Sequence, residues 1–158
     1  MIHPISQHVW FGDKPSVAES VARGEGGAKA VINVAHSIRK PYWGDLGSLP
    51  WDVWYLRLAL PDAHAADRQY LEALEMFVIC CATAGKTPIL CHCRVGGHRG
   101  PTAGIFAAWV LGHRKRVALY AAIEQVLRFR PGYNKPHTRR VYRDSVLAYC
   151  LENSEGYQ

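Results

Sequence analysis

Two hydrophobic rhythms run along this chain, and each change of rhythm predicts an element boundary. His8-Val9-Trp10-Phe11 is a short strand candidate stopped by Gly12-Asp13. A helix with Pro15 in its first turn runs to about Ala22, where Gly24-Glu25-Gly26-Gly27 ends it. Lys29 to Ala35 contains Val31-Ile32-Asn33-Val34, a run that suits a buried strand. Pro41, Gly44, Gly47 and Pro50 predict a loop from His36 to Asp52, and Val53 to Leu60 predicts a strand that Pro61-Asp62-Ala63-His64 breaks.

A helical period follows. Asp67 stands where an N-cap is needed; Tyr70, Leu71, Leu74, Phe77, Val78 and Cys81 share one face, with Glu72 and Glu75 opposite. Thr87 to Leu90 reads as a strand, Pro101 to Leu111 as a helix, and Gly112 to Arg116 as a basic loop. Leu119, Ile123, Val126 and Leu127 mark another helix, and the turn Arg128 to Asn134 precedes a last one led by Arg139, Arg140 and Arg143 and reaching about Leu151. Those arginines read as a solvated face. The order of elements predicts a single α/β domain, with a central, mainly parallel sheet flanked by helices.

Composition narrows the class. A chain of 158 residues, 49% hydrophobic and 20% charged, can bury a core without disulfide or metal staples. Its longest apolar stretch, Ala103 to Leu111, is too short to span a bilayer, so no membrane insertion is expected. A net charge of +6 points to anionic partners: phosphorylated proteins, acidic lipid headgroups or, less favoured, nucleic acid. Five cysteines at no framework spacing, behind a Met-Ile-His-Pro start without signal-peptide character, predict free thiols and a cytoplasmic setting. The oligomeric state does not follow from any of this.

The candidate chemistry lies in Cys91-His92-Cys93-Arg94-Val95-Gly96-Gly97-His98-Arg99-Gly100-Pro101-Thr102, between a predicted strand and a predicted helix. Such a turn presents backbone N–H groups at a helix N-terminus, which is an anion site. Gly96 and Gly97 let the backbone curl, with Cys93 at the start of the bowl and Arg99 at its end. A helix end and cationic neighbours can hold a thiol as a nucleophilic thiolate at neutral pH. A guanidinium matches two phosphate oxygens with its planar fork. The expected substrate is therefore a phosphate ester.

His-Cys-x-x-Gly-x-x-Arg, here His92, Cys93, Gly96 and Arg99, resembles the signature of cysteine-dependent protein tyrosine phosphatases, and the run is especially similar to compact dual-specificity phosphatases. The resemblance covers most of the chain, roughly Val9 through Tyr149, and implies one catalytic domain over residues 1–158 that works without cofactor or metal. It implies Cys93 as nucleophile, Arg99 as the phosphate-binding guanidinium and an acid on the loop after a strand, one helix and one strand upstream. Asp62 occupies that place, with Asp67 as runner-up. Arg94, Val95, Gly96, Gly97 and His98 would cradle the phosphate, although the side chains of Arg94 and His98 point outward, where they either select for anionic surroundings of the phosphate or are simply solvated, the latter slightly favoured for Arg94. His92 is expected to hold the Cys93 backbone by hydrogen bonds or to be an ordinary core histidine. The turn through Asn134 resembles one that touches the Cys loop in this family. A phosphorylated protein would be the partner, and a shallow pocket would admit phosphoserine or phosphothreonine beside phosphotyrosine.

Other readings stay open. A phosphoinositide or RNA 5′-phosphate phosphatase would use the same chemistry, and a sulfurtransferase or arsenate reductase would not need Asp62. A phosphate-reading module would need no turnover. Tyr42, Trp43 and Trp51, with Arg39 or Lys40, would either line a substrate wall or cap the core, and capping is favoured. Cys80, Cys81 or Cys91 could resolve an oxidised Cys93, but buried inert thiols are commoner. Zinc is disfavoured because Cys91-His92-Cys93 lacks a second ligand pair.

One departure has kinetic consequences. The family usually carries Ser or Thr after the loop Arg, where a hydroxyl helps the thiolate leave; this chain has Gly100, and Thr102 is the nearest hydroxyl. The expected outcome is a slow second step, seen by stopped flow as a burst of p-nitrophenol before a slower steady rate. A linear time course from the first turnover, with no trapped phosphoenzyme, would count against it.

Overall fold

The computed structural model describes residues 1–35, 50, 52–60, 64–94, 98–136 and 140–155. Along them run β1 (His3–Ser6), β2 (Val9–Gly12), α1 (Lys14–Ala22), β3 (Ala30–Ala35), β4 (Trp54–Leu60), α2 (Arg68–Thr83), β5 (Ile89–His92), α3 (Arg99–Leu111), α4 (Arg116–Phe129) and α5 (Val141–Glu152). The strands form one sheet in the order β1-β2-β5-β3-β4, parallel except for the β1–β2 hairpin. The expected fold class therefore holds.

The strand β1 is not foreseen in the sequence reading. His3 and Ile5 are buried while Pro4 and Ser6 face solvent, the period of a half-buried strand, and Pro4 is tolerated because β1 lies at the sheet edge. The interior strands differ: all six residues of β3 and all four of β5 are buried, as expected for parallel strands covered on both faces. On one face, Val17 of α1 packs with Ala28, Val31 and Leu90. The main core lies on the other face, beneath α2 to α5.

Helix starts follow local chemistry. Asp13 caps α1 by accepting from the Ser16 N–H at 3.1 Å, and the Ser16 hydroxyl accepts in return from the Asp13 N–H at 3.1 Å. Asp67 caps α2 through the Tyr70 N–H at 2.8 Å, and Tyr70, Leu71, Leu74, Val78 and Cys81 are buried. Glu75 departs from the expected solvent face: its carboxylate lies 3.5 Å from Arg114, which also covers the Trp109 ring. The helix α3 is buried at every position from Gly100 to Val110 and occupies the middle of the helical layer.

Two expectations need correction. The strand expected at Thr87 to Leu90 begins at Ile89 and continues through Cys91 and His92, because its ladder to β2 and β3 starts where the chain passes Pro88, which has no N–H to give. Arg140 and Arg143 are not a solvated face. Arg140 donates to the carbonyls of Gly132, Tyr133 and Lys135 at 2.6, 2.7 and 3.1 Å, and Arg143, 6% exposed, donates to those of Tyr133 and Lys135 at 2.5 and 2.9 Å. Carbonyls turned inward by the Arg130–Lys135 turn need donors, and the arginines supply them. Arg139 lies outside the described residues. No helix among the described residues is long and apolar enough to cross a membrane.

Because Arg143 spends charged donors on two backbone carbonyls, Arg143→Met is expected to cost about 2–4 kcal/mol in urea unfolding. A loss below about 1 kcal/mol would show that Arg140, which donates to the same two carbonyls, or water serves them at little cost.

Candidate active site

The strand β5 delivers Cys93 to the carboxyl edge of the sheet. Cys93 is 4% exposed, and the next residue, Arg94, is exposed while its carbonyl accepts from the Lys14 N–H at 3.2 Å. Val95, Gly96 and Gly97 lie outside the described residues; the chain is next described at His98, the N-cap of α3, and Arg99 is the first residue of that helix. The helix thus begins two residues earlier than expected. The cysteine ends a strand and the arginine begins a helix, so the two elements fix their relative positions.

Arg99 reaches across the ends of the neighbouring parallel strands. Its Nη1 donates to the Leu60 carbonyl at 3.0 Å, at the end of β4, and to that of Val34 near the end of β3, at 3.5 Å. Carbonyls at the carboxyl edge are acceptors with no further strand to pair with, and they orient one edge of the guanidinium. Asp62 lies outside the described residues. The runner-up acid, Asp67, serves as the α2 cap.

His92 is fully buried and its Nδ1 lies 3.1 Å from the Cys93 carbonyl. A carbonyl only accepts, so Nδ1 carries the proton in this contact. The other nitrogen, Nε2, has no hydrogen-bond partner among the described residues. Burial pushes the imidazole down to about 4, opposed by the bond to Cys93 and by the charge of Asp13. The ring is neutral at physiological pH.

Gly100 explains its own presence. A Cβ built there would lie 3.0 Å from the Cys93 nitrogen and 3.2 Å from two backbone atoms of His92. The first turn of α3 sits too close to the end of β5 for a side chain to fit without displacing it. Thr102 does not take over as a free hydroxyl: it is fully buried, donates to the His98 carbonyl at 2.5 Å and lies 2.6 Å from the Tyr133 hydroxyl. Sequence reasoning passes over Tyr133 and singles out its neighbour Asn134, which is exposed. An aromatic inside an Arg-Pro-Gly-Tyr-Asn turn is the only local signal, and nothing local says that it meets α3.

The remaining thiols divide by burial. All five cysteines are free; Cys81, Cys91 and Cys150 are buried, and Cys80 is exposed. Burial pushes the Cys81 and Cys150 thiols up to about 12 and raises that of Cys91 as well, so these three stay protonated and apolar in character. No group of three potential metal ligands occurs among the described residues. The loop aromatics Tyr42, Trp43 and Trp51, with Arg39 and Lys40, lie outside the described residues.

No protein-family model and no curated protein matches this sequence. Solved structures do. Tk-PTP in its active form is 25% identical, with 96% of this chain and 97% of that one aligned at a TM-score of 0.65. Human DUSP28 is 14% identical over 96% of this chain and 93% of its own, with a TM-score of 0.68. PTPMT1, solved in complex with PI(5)P, is 16% identical over 96% and 95%, with a TM-score of 0.65. The fold is that of the cysteine-dependent protein tyrosine phosphatases. The single α/β domain, with its mostly parallel five-stranded sheet, is the compact form of that fold.

In this fold His92 brings a pH dependence of stability. Its imidazole titrates lower in the folded chain than the usual 6.5. Its contribution is therefore complete above about 6.5 and is lost as pH falls through about 4, where the unfolded chain has taken up a proton that the fold refuses, at a cost of about 3 kcal/mol. His3 is lowered by burial and by Arg130, in the same direction. Urea midpoints between pH 7 and 4 are expected to fall more steeply for the wild type than for His92→Gln; parallel curves would remove His92 from the account.

Proposed function

We propose that the chain is a dual-specificity protein phosphatase that removes phosphate from phosphotyrosine and from phosphoserine or phosphothreonine through a phosphocysteine intermediate. The observation that carries the reading is the placement of Cys93 at the end of the central strand and of Arg99 at the start of the helix that follows, with the guanidinium braced on the carbonyls of Leu60 and Val34. The thiolate of Cys93 attacks phosphorus in line, forming an S–P bond as the ester O–P bond breaks. Arg99 and the backbone N–H groups from Arg94 through His98, including Val95, Gly96 and Gly97, hold the equatorial oxygens.

Asp62 gives its proton to the departing oxygen. Covalent tethering supports this assignment: Asp62 follows by two residues the Leu60 whose carbonyl holds Arg99, and two residues span at most about 7 Å. Water then attacks phosphorus, yields a proton to the Asp62 carboxylate and breaks the S–P bond, releasing inorganic phosphate. His92 supports the loop through the Cys93 carbonyl, and no metal or cofactor enters either step. The partner is a phosphorylated protein, and the free thiols suit a cytoplasmic site of action.

A second substrate class has specific support in the net charge of +6 and in the likeness to PTPMT1, the structure of which contains PI(5)P. Hydrolysis of p-nitrophenyl phosphate is expected to fall at least about 1000-fold in Cys93→Ser. In Asp62→Asn the loss is expected to grow with the pKa of the leaving group. Loss in neither variant would overturn the mechanism. A panel of phosphopeptides, phosphoinositides and RNA 5′-phosphate ends separates substrates; preference for the lipid would replace the protein-phosphatase reading.

A further inference from the structure

A line of hydroxyls runs from the Arg130–Lys135 turn to the peptide that begins α3. The Thr102 hydroxyl donates to the His98 carbonyl, which also accepts from the Thr102 N–H at 2.9 Å. A hydroxyl has one proton, so the 2.6 Å contact with Tyr133 has only one direction open to it: the phenol donates and Thr102 accepts. Burial raises the Tyr133 phenol and keeps it protonated for that task. The backbone of Tyr133 is itself fixed, its carbonyl receiving both Arg140 and Arg143.

The geometry bears on the anion site through the peptide plane. In a planar trans peptide the C=O and N–H point in opposite directions, so holding the His98 carbonyl along the axis of α3 turns the Arg99 N–H out of the helix start. Threonine in a helix otherwise divides between two rotamers, only one of which bonds back to the preceding turn. A donor on its far side selects that rotamer.

We propose that Tyr133 is a positioning residue of the phosphate site: its hydroxyl, acting through Thr102, locks the His98 carbonyl away from the anion and aims the Arg99 amide at it. This rests on the phosphatase reading above and adds to it a residue that touches neither substrate nor thiol.

The test compares Tyr133→Phe, Thr102→Val, Thr102→Ser and the Phe/Val double variant for orthovanadate inhibition, p-nitrophenyl phosphate kinetics and Tm. Val146→Ala, in the same core but outside the chain of hydroxyls, is the stability control. Tyr133→Phe and Thr102→Val are each expected to raise the vanadate inhibition constant about fivefold, with the loss of kcat/KM carried by KM. Thr102→Ser should recover most of that loss, and the double variant should match Thr102→Val because both act on one link. Val146→Ala should lower Tm and leave vanadate inhibition unchanged.

Wild-type vanadate inhibition in Tyr133→Phe would overturn the proposal, as would additive losses in the double variant, or a Val146→Ala shift as large as that of Tyr133→Phe. Should Tyr133→Phe not fold, the Arg99 amide resonance in Thr102→Val decides: an unchanged shift on vanadate binding, relative to wild type, overturns it. A wild-type protein that neither binds vanadate nor hydrolyses the ester would overturn the phosphatase reading and this proposal together, whereas an active wild type with indifferent variants overturns this proposal alone.

Discussion

The close seating of the first turn of α3 on the end of β5 governs the carboxyl edge of the sheet. With Gly100 the two backbones come near enough that even a methyl group would press on the Cys93 nitrogen. A strand and a buried helix are rigid, so a thiol at the end of one and a guanidinium at the start of the other hold their separation without help from the intervening turn. The donor edge of Arg99 then ties β3 and β4 to the same place. A departure from the family pattern that looks in sequence like a lost hydroxyl is, in three dimensions, the condition for this contact.

The second constraint is the burial of α3 on all sides. A helix so placed must meet its polar neighbours inside the protein, and each of those must be paired. Arg143 brings a charge into the core, which is tolerable because its donors end on the Tyr133 and Lys135 carbonyls, shared with Arg140, and on the Asp144 carboxylate at 2.8 Å. Tyr70 and Tyr142 solve a similar problem near β4: their hydroxyls lie 2.9 Å apart and Tyr70 donates to the Leu58 carbonyl at 2.5 Å. Around α3 and β4 these buried polar groups close one another's bonds, and the site is mounted on them.

Elements governed by near neighbours were legible along the chain. Asp67 announces α2 because a cap needs only the next three residues, and Val31 to Val34 announces β3 because a strand buried on both faces must be continuously apolar. Less legible was β1, whose meaning comes from pairing with β2 and whose Pro4 argues against a strand anywhere but an edge. Glu75, Arg140 and Arg143 carry charge and so read as surface; only the position of Arg114 or of the turn carbonyls shows otherwise.

The sequence by itself determined the chemical inventory of the candidate site and its order, because a strand, a glycine-rich turn and a helix start are local features and Cys93 and Arg99 are separated only by that turn. It determined the α/β class for the same reason. The tertiary structure alone decided which carbonyls hold Arg99, why position 100 has no side chain, and that Tyr133 meets Thr102 across 31 residues of chain. Those contacts join segments far apart in sequence, and no periodicity or spacing encodes a partner that only folding brings within hydrogen-bond reach.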